Sequence, residues 1–444
     1  MKRTLSSDTI KYLGKKIAVA GWVHSLRSHG KIIFVDLRDK GGLLQLVFTP
    51  KEEEVYKIAK KLDQEWVILV EGKIQNRPQA MINPKIPTGK VELKVEKIDI
   101  LSKSRAIPPI PITGKEAEKV SLEKRLSWRW LDLRRPENQL IFKVWTLMEQ
   151  SFREYWLKNG YLQIHSPKIM STASESGAEL FEIKYFKKKA YLAQSPQFYK
   201  QMAMAAGLEK VFEVGPVFRA NPSFTSRHDT EYTSYDVEMS FVDSCQDVIR
   251  DEEKALVYVL GKIIKQYGKE IERSYQRKLM LPKIPFPQVT MKGAKEVLKK
   301  MKVESEREGD LSPEEERALS KHILKTKKHE FVYVTEYPTA VRPFYHMRLE
   351  ENPKLTKSFD LLWNGLEVTT GAQREHRYDV LVKQVKEQGI KPEHLRHYLN
   401  FFKYGCPPHG GYAFGPTRGL MKIFNLSNVR EATYLYRGVK RLTP

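Results

Sequence analysis

Residues 218–231 read FRANPSFTSRHDTE and lie between two apolar stretches that have strand-like composition, residues 211–218 and 234–242. The segment is therefore predicted to be a loop that joins two neighbouring strands. It carries three groups that bind anions: Arg219, Arg227 and His228. A guanidinium presents a planar fork of donors to phosphate oxygens, so this loop could hold a triphosphate. Surface ion pairs on a hairpin would explain the same residues.

A second informative segment, residues 358–376, reads SFDLLWNGLEVTTGAQREH. Strict alternation along a strand would place Glu367 and Thr370 on opposite faces. We expect Gly371 to break this strand and to free Thr370 and Arg374 to turn towards a site. A carboxylate and a hydroxyl beside an arginine could hold a hard cation bound to phosphate. A charged edge strand is the alternative.

The third segment, residues 405–421, reads GCPPHGGYAFGPTRGLM. Its alternating glycines indicate a strand that another backbone or a ligand approaches closely. The strand is expected to run into a helix that carries Arg418 near its start. A helix N-terminus together with an arginine is typical of an anion site.

The remaining chain divides into an all-β part and an α+β part. Residues 1–104 contain five candidate strands, with a helix predicted at 51–62 between the third and the fourth: 17–23, 31–37, 43–48, 66–70 and 91–100. This order suits an OB-fold barrel, which binds oligonucleotides on one face, although a small β-domain of another topology would also fit. A proline-containing linker is predicted at 105–130.

The predicted catalytic domain spans residues 131–444. It opens with a long amphipathic helix at 137–159 and continues as irregularly alternating strands and helices. About residues 293–328 the chain is helical and strongly charged, and Ser312 and Glu315 have the spacing of a capping box.

Composition narrows the possible partners. The 444 residues contain 77 Lys and Arg against 54 Asp and Glu, a net charge of +23, which favours a polyanionic partner. A solvated, lysine-rich surface is the alternative. No apolar run is long enough to span a membrane, and the first residues do not resemble a secretory signal. With only Cys245 and Cys406, a disulfide framework is excluded and a cytoplasmic location is expected.

Taken together and in this order, the segments at 218–231, 358–376 and 405–421 resemble motifs 2 and 3 of the class II aminoacyl-tRNA synthetases. Residues 161–167, YLQIHSP, follow the long helix and resemble motif 1, which implies a homodimer interface. The resemblance also implies an antiparallel-sheet catalytic domain behind an anticodon-binding OB fold.

Three further features are similar to the archaeal-type aspartyl enzymes: residues 171–181, residues 193–200 and the ending KRLTP at 440–444. This likeness implies that L-aspartate is activated with ATP and Mg²⁺ to aspartyl-adenylate and pyrophosphate. Aspartate would then be transferred to the 3′ end of tRNA(Asp).

The resemblance assigns roles position by position. The aspartate-binding residues would be Glu175, Gln197, Lys200, Arg219, Thr370 and Arg374, with Arg374 gripping the side-chain carboxylate. The ATP-binding residues would be Arg219, Asn221, Arg227, His228, Asp229, Glu367, Thr370, Gly415 and Arg418. Glu367 and Thr370 would hold Mg²⁺, and the catalytic residues would be Arg219, Arg418 and Glu367.

In the barrel, Arg27, Phe34, Gln45 and Glu71 match anticodon-reading positions of the family. Phe34 would stack on a base, a contact that contributes ~1–3 kcal/mol. A core position within its strand is the alternative for Phe34. His24 stands where relatives of relaxed specificity also carry histidine, which implies that tRNA(Asn) could be charged as well.

Several positions depart from the family pattern. Asn221 replaces a usual glutamate, Thr417 a usual carboxylate and Ala372 a glycine, while residues 436–438 read YRG instead of the more usual PRD. Because the essential arginines are retained, activity is still expected. Two other hypotheses remain: a noncatalytic tRNA- or RNA-binding paralogue, and an amino-acid-activating paralogue such as an asparagine-forming ligase. The retained barrel argues against the ligase.

Overall fold

The computed structural model describes residues 2–172, 180–222 and 225–443. Two compact units are present. The first comprises residues 2–121 with Trp130–Pro136, and the second Leu122–Arg129 with residues 137–443.

The first unit is a closed barrel, as predicted for an OB fold. Its described elements are β1 (Lys16–His29), β2 (Ile32–Asp39), β3 (Gly42–Phe48), α1 (Glu53–Ala59), β4 (Val67–Asn76) and β5 (Val91–Ser102). The strands follow the order β1-β2-β3-β5-β4, and β4 closes the barrel on β1. Strand β1 is longer than predicted because it continues past a bulge at His24, between Val23 and Ser25.

Alternation along β2 separates the barrel interior from its outer surface. Ile33, Val35 and Leu37 belong to the buried interior cluster. Phe34 lies between them in sequence and therefore faces outwards, yet only 8% of its surface is exposed. Phe34 is thus buried, as the core alternative expects, but it does not belong to the interior cluster of the barrel.

The rest of the chain supplies the remaining helices and strands. The helices are α2 (Leu122–Ser127), α3 (Arg129–Asp132), α4 (Pro136–Lys158), α5 (Gln197–Ala205), α6 (Cys245–Tyr275), α7 (Met291–Lys300), α8 (Pro313–Lys327), α9 (Tyr378–Glu387), α10 (Arg396–Lys403), α11 (Pro416–Phe424) and α12 (Val429–Ala432). The strands are β6 (Leu162–Gln163), β7 (Ile169–Met170), β8 (Glu182–Tyr185), β9 (Lys188–Leu192), β10 (Lys210–Phe218), β11 (Glu231–Ser240), β12 (Gln288–Thr290), β13 (Phe331–Thr335), β14 (Ser358–Trp363), β15 (Glu367–Arg374) and β16 (His409–Phe414).

The second unit is built on a largely antiparallel sheet. Among the described residues it has eight strands in the order β12-β13-β14-β15-β16-β11-β10-β6, with parallel pairing only at its two edges. Helices α4 and α6 contribute Phe152, Trp156 and Val259 to a core that includes Phe212 and Tyr235 of the sheet. Because this core covers one face, the opposite face is left for a site. A smaller sheet has the order β7-β9-β8.

Most predicted elements of this unit are present. The long helix is α4, and the capping box of Ser312 and Glu315 starts α8. The charged region contains two helices, α7 and α8, as expected from its composition. The 31-residue helix α6 was not predicted.

The predicted strand break at Gly371 is wrong. Strand β15 runs without interruption to Arg374, because Gly371 is paired with Phe359 of β14 and Tyr412 of β16, and the Phe359 ring occupies the space of a Gly371 side chain. A Cβ at Gly371 would lie 2.2 Å from the ring. The irregularity occurs instead at Val368, since Leu361 pairs with Thr369 and the next residue of β14 pairs with Glu367.

This bulge also corrects the expected facing of two site residues. An extra residue in one strand shifts the alternation of the side chains that follow. Glu367 and Thr370 therefore share a face, and the Thr370 hydroxyl donates to Glu367 Oε1 at 3.1 Å. No helix in the described part of the chain is long and apolar enough to cross a bilayer.

Candidate active site

A cavity of about 1230 Å³ opens on the uncovered side of the large sheet. It is bordered by the loop after β10, by β15, by the start of α11 and by residues 339–346. The predicted site residues that line it are Gln197, Lys200, Arg219, Asn221, Arg227, His228, Asp229, Glu367, Thr370, Arg374, Gly415 and Arg418. The predicted aspartate ligand Glu175 lies outside the described residues. The three segments singled out in the sequence thus meet at one cavity.

Arg374 is fixed by three contacts at the end of β15. Its Nε donates to Glu238 Oε1 at 3.0 Å and its Nη2 to the Gly411 carbonyl at 3.1 Å. Its Nη1 lies 3.0 Å from His346 Nε2. Only 3% of Arg374 is exposed. The guanidinium is therefore a buried cation whose remaining N–H groups are available to an anion in the cavity.

Lys200 on α5, predicted to bind aspartate, already has four partners within the protein. Its Nζ lies 3.1 Å from Asp236 Oδ1 and 3.3 Å from Glu238 Oε2. It also donates to the Val237 and Tyr412 carbonyls at 3.3 and 3.4 Å. An ammonium has three N–H groups, so a direct contact with substrate requires one of these partners to be exchanged.

Glu238 connects these two cations. It lies on β11 and is fully buried. Burial alone would raise the pKa of Glu238, but Arg374, Lys200 and His409 together hold this pKa below its ordinary value. The ionised carboxylate therefore balances positive charge beneath the cavity. Glu238 was not among the site residues predicted from the sequence.

Arg418 and Glu367 form a pair at the other end of the cavity. Arg418 Nη1 donates to the Glu367 carbonyl at 2.9 Å and to Oε1 at 3.2 Å. Burial would raise the pKa of Glu367, but Arg418 and Arg342 lower it. The Glu367 side chain retains 35% of its accessible surface, so an ionised carboxylate is open to the cavity.

The loop after β10 adds further cations beside this pair. Arg219 lies 5.8 Å from the ring centre of Tyr232. Burial and the positive charge of Arg418 lower the pKa of His228 to about 4, and Arg219 and Arg227 act in the same direction. His228 is therefore neutral at physiological pH, with its Nδ1 2.5 Å from the Thr225 hydroxyl.

Arg227 connects the cavity to the charged helical segment. Its Nη1 lies 2.6 Å from Glu316 Oε2 on α8, and its Nη2 donates to the Gly365 carbonyl at 3.1 Å. Burial raises the pKa of Glu316 to about 7, although Arg227 opposes this shift. The charged helical segment at 293–328 is thus in direct contact with a residue that lines the site.

Asp229 and Gly415, both predicted to bind ATP, line the same cavity. Burial raises the pKa of Asp229 to about 7, and the Thr433 hydroxyl donates to its Oδ2 at 3.2 Å. A Cβ built on Gly415 would meet no atom closer than 3.7 Å. Thr417, one of the departures from the family pattern, is buried and lines the same cavity.

Arg342, which lines the cavity, and its ion-pair partner Asp360 were not among the site residues predicted from the sequence. Arg342 Nη2 donates to Asp360 Oδ2 at 2.6 Å, and the guanidinium lies 3.6 Å from the ring centre of Tyr337. The signal for Asp360 was available, because Ser358 and Asp360 alternate with apolar neighbours along β14 and so mark a polar face. Arg342 precedes a proline in a loop and carries no such pattern.

Glu367 and Thr370 have the chemistry and the placement that a Mg²⁺ site shared with substrate requires. The described residues contain no group of three or more His, Cys, Asp or Glu side chains placed to hold a metal. Mg²⁺ is usually bound through one or two carboxylates together with water and substrate phosphates. Glu367, ionised and partly open, with the Thr370 hydroxyl beside it, fits a site of that type that ATP would complete.

A separate cluster lies on the outer face of the barrel. Arg27 Nη1 donates to Asp36 at 2.8 Å and its Nη2 to Gln45 Oε1 at 2.5 Å, while Gln45 Nε2 donates to Glu92 at 2.8 Å. The Arg27 guanidinium lies 5.7 Å from the ring centre of Phe34. The predicted residues Arg27, Phe34 and Gln45 are therefore neighbours.

The other two predicted barrel residues have different surroundings. His24 is the bulged residue of β1, and its Nδ1 lies 3.0 Å from Arg38 Nη1. Burial and the charge of Arg38 lower its pKa. Glu71 lies on β4, opposite Ala18 of β1 and Lys97 of β5.

Comparison with known proteins identifies the family. The model of the family described as tRNA synthetases class II (D, K and N) matches residues 121–437. The chain belongs to the class II aminoacyl-tRNA synthetases. The barrel of this synthetase, residues 17–101, matches the model of the OB-fold nucleic acid binding domain.

Curated relatives extend over the whole synthetase. The aspartate–tRNA(Asp) ligase of Pyrococcus abyssi is 40% identical over 441 residues, which cover 99% of this chain and 98% of the relative. The aspartate–tRNA(Asp/Asn) ligase of Methanopyrus kandleri is 44% identical over 434 residues, covering 97% and 96%.

Solved synthetase structures resemble this one in fold. The asparaginyl-tRNA synthetase of Pyrococcus horikoshii complexed with asparaginyl-adenylate has a TM-score of 0.88 and 32% identity, covering 98% of this chain and 97% of that one. The aspartyl-tRNA synthetase of Entamoeba histolytica has a TM-score of 0.89 and 29% identity, covering 100% and 93%.

Proposed function

We propose that this synthetase is an aspartate–tRNA ligase. It activates L-aspartate with ATP to aspartyl-adenylate and pyrophosphate, and then transfers aspartate to the 3′ end of tRNA(Asp). Relatives with this activity match it over nearly their full length. The observation that carries the proposal is the buried guanidinium of Arg374 on the wall of the cavity.

Arg374 accounts for the choice of amino acid. Three partners fix its plane, and its remaining N–H groups can pair with the side-chain carboxylate of aspartate. Asparagine presents a neutral amide there and cannot form an ion pair with the guanidinium. Gln197, which is 4% exposed and whose Nε2 has no hydrogen-bond partner among the described residues, is placed to contact the same substrate.

The first chemical step depends on positioning and on charge. The α-carboxylate of aspartate attacks the α-phosphorus, its oxygen forms the new P–O bond, and pyrophosphate leaves. An ionised carboxylate is already a nucleophile, so this step needs no general base. Arg219 would hold the α-phosphate and Arg418 the γ-phosphate, and both would stabilise negative charge as it spreads.

Mg²⁺ would supply further charge stabilisation for the phosphates when it is bound. Glu367 and Thr370 are the side chains proposed to hold it. His228 is neutral and can line the nucleotide site without binding a proton. In the second step a terminal ribose hydroxyl of tRNA attacks the carbonyl carbon of aspartyl-adenylate, and AMP leaves.

Aspartate-dependent exchange of pyrophosphate into ATP tests this function. The wild-type chain should catalyse exchange with aspartate and far less with asparagine. Arg374→Gln should raise KM for aspartate by at least about 100-fold, since it removes a buried, charged hydrogen-bonding partner. Arg377→Gln is the matched control, because Arg377 follows the same strand but its side chain is 50% exposed and pairs with Glu375. Exchange that is independent of aspartate, or unchanged in Arg374→Gln, would contradict the proposal.

We also propose that tRNA(Asn) is a second substrate. The relative from Methanopyrus kandleri is an aspartate–tRNA(Asp/Asn) ligase. His24 occupies the barrel position that the family resemblance links to relaxed specificity. Charging purified tRNA(Asp) and tRNA(Asn) with labelled aspartate decides the question. Rejection of tRNA(Asn) at tRNA concentrations that saturate charging of tRNA(Asp) would contradict this part alone.

The proposed assembly is a cytoplasmic homodimer formed through α4 and the strand that follows it. Leu157 at the end of α4 and Leu162 on β6 are 59% and 52% exposed in the single chain, as expected for residues covered by a partner copy. Light scattering during size-exclusion chromatography should give twice the chain mass of 51.7 kDa. A monomer at micromolar concentration would contradict the dimer.

A further inference from the structure

We infer that His346 is a specificity-determining positioning residue. Its imidazole accepts a hydrogen bond from Arg374 and so fixes the guanidinium in the orientation that receives the side-chain carboxylate of the amino acid. This inference rests on the proposed role of Arg374 in aspartate binding. The segment that carries His346, residues 342–348, lies outside the three segments on which the sequence analysis depended.

The backbone places the two side chains next to each other. His346 and Arg374 are directly opposite in an antiparallel bridge. Met347 N donates to the Gln373 carbonyl at 3.0 Å, and Glu375 N donates to the Tyr345 carbonyl at 2.9 Å. The two residues between these bonds form a non-hydrogen-bonded pair, the type in which facing side chains are closest.

A second element holds the His346 segment in place. The side-chain amide of Gln384 on α9 donates to the Phe344 carbonyl at 2.5 Å and to the His346 carbonyl at 3.2 Å. Gln388, one turn further along, donates to the Arg342 carbonyl at 2.8 Å. Gln384 lies within α9 and Gln388 caps its C-terminal end, so one helix holds the backbone of the segment that carries His346.

The chemistry of the contact sets its direction. A guanidinium can only donate, so the lone pair of His346 Nε2 must accept across the 3.0 Å separation. The proton of the neutral ring is then on Nδ1, which has no hydrogen-bond partner among the described residues. With Arg374, Arg342 and Lys200 as its charged neighbours and 3% exposure, the imidazole has no favourable way to become a cation.

The three hydrogen-bond partners of Arg374 have different roles. Glu238 supplies charge balance at Nε, and the Gly411 carbonyl engages Nη2. Among the described residues, His346 is the hydrogen-bond partner of Nη1, and its neutral ring adds no negative charge. A neutral acceptor here restricts rotation of the guanidinium but leaves its positive charge for the substrate. A carboxylate in the same place would compete with aspartate.

Three variants distinguish this role from a purely structural one. His346→Leu removes the acceptor and keeps an apolar side chain. His346→Asn retains an amide that is too short to reach Arg374, whereas the longer amide of His346→Gln places its oxygen near the original Nε2. Each variant is measured by pyrophosphate exchange with aspartate, with asparagine and with varied ATP, alongside its thermal unfolding.

The variants are expected to change KM for aspartate but not KM for ATP. His346→Leu and His346→Asn should raise KM for aspartate by about 10- to 100-fold, the effect of losing a hydrogen bond to a charged group. KM for ATP and kcat should stay close to wild type, and selectivity for aspartate over asparagine should fall by the same factor as aspartate affinity. His346→Gln should restore both. If the leucine variant does not fold, the comparison of asparagine with glutamine decides.

Two results would overturn the inference. One is normal aspartate KM in His346→Asn or His346→Leu. The other is an equal loss for aspartate and ATP that His346→Gln does not rescue, since that would mark a structural role. Failure of the wild-type chain to show aspartate-dependent exchange would instead count against the proposed function.

Discussion

The two charged side chains at the ends of β15 differ in how much water they meet. Glu367 retains 35% of its side-chain surface, whereas Arg374 retains 4%. A buried guanidinium that is already oriented can recognise one carboxylate with little loss of side-chain freedom. A partly open carboxylate can accept a hydrated cation together with a phosphate. Their environments therefore suit the two different tasks proposed for them.

Glu367→Gln is expected to weaken the use of Mg²⁺. The amide keeps the shape of the side chain and can still accept from Arg418 and Thr370, but it loses the negative charge that a hard cation requires. The Mg²⁺ concentration for half-maximal pyrophosphate exchange should rise by about tenfold or more, equivalent to ~1.4 kcal/mol. An unchanged Mg²⁺ dependence, measured at fixed ATP, would rule out Glu367 as a metal ligand.

At the scale of elements, the close approach of β16 to β11 decides the shape of the site. Gly411 is paired with Glu238, and a Cβ there would lie 2.1 Å from the Val237 carbonyl oxygen and 2.4 Å from Glu238 Oε2. The predicted close approach of a glycine-rich strand is confirmed at this residue. It allows Glu238 to lie beneath the cavity and to contact Arg374.

Gly411→Ala should therefore destabilise the second unit and impair aspartate binding together. Overpacking of this kind costs about 1–3 kcal/mol or more. Gly415→Ala is the matched control for stability, because its Cβ would have no neighbour closer than 3.7 Å. Thermal unfolding of both variants checks the prediction. Equal melting temperatures for the two variants would mean that the strands separate more easily than the packing indicates.

Helix α6 gives a prediction about pH. Burial raises the pKa of Glu252 to about 8, although the Tyr333 hydroxyl donates to its Oε2 at 3.0 Å. The folded state therefore binds a proton more tightly than the unfolded chain, where the value is 4.5. The stabilisation of the folded state that comes from protonated Glu252 is fully present below pH 4.5 and is lost as pH rises through about 8.

Glu252→Gln should remove that pH dependence. Near pH 4.5 the variant should have the same unfolding free energy as wild type. Near pH 8 its unfolding free energy should exceed that of wild type by about a few kcal/mol. Urea unfolding at both pH values measures the difference. Glu54→Gln serves as the control substitution, because the Glu54 side chain on α1 is 84% exposed. A stability difference that stays constant with pH would show that Glu252 does not titrate within this window.

The two units of the chain carry two different kinds of recognition. The cavity with its arginines belongs to the second unit, and the outer cluster of Arg27, Phe34 and Gln45 belongs to the first. Amino-acid activation needs only the former, whereas charging requires tRNA as well. The net charge of +23 suits a large polyanion of this kind.

Phe34→Leu should impair charging and leave pyrophosphate exchange intact. Loss of a stacking platform costs ~1–3 kcal/mol per base, so KM for tRNA(Asp) should rise by about 10-fold or more. Phe34→Tyr, which keeps an aromatic ring, should stay close to wild type. Aminoacylation and exchange are measured on the same preparations. If tyrosine and leucine raise KM equally, the ring does not act by stacking.

The order of residues along the chain was enough to predict the family, the barrel, the antiparallel sheet and most of the charged residues around the cavity. Those features depend on residue type and local spacing: alternating apolar positions, turn residues, and arginines at the ends of strands. Twelve of the predicted site residues line one cavity because their segments belong to neighbouring parts of one sheet.

Which of these side chains contact one another depends on how the strands pair and pack in the folded chain. The bulge at Val368 puts Glu367 beside Thr370, and bridging across β15 puts His346 beside Arg374. The contact of Arg227 with Glu316 joins residues 89 positions apart. Register and packing fix such pairs, since a shift of one residue would turn each side chain to the other face. No local pattern in the chain contains that information.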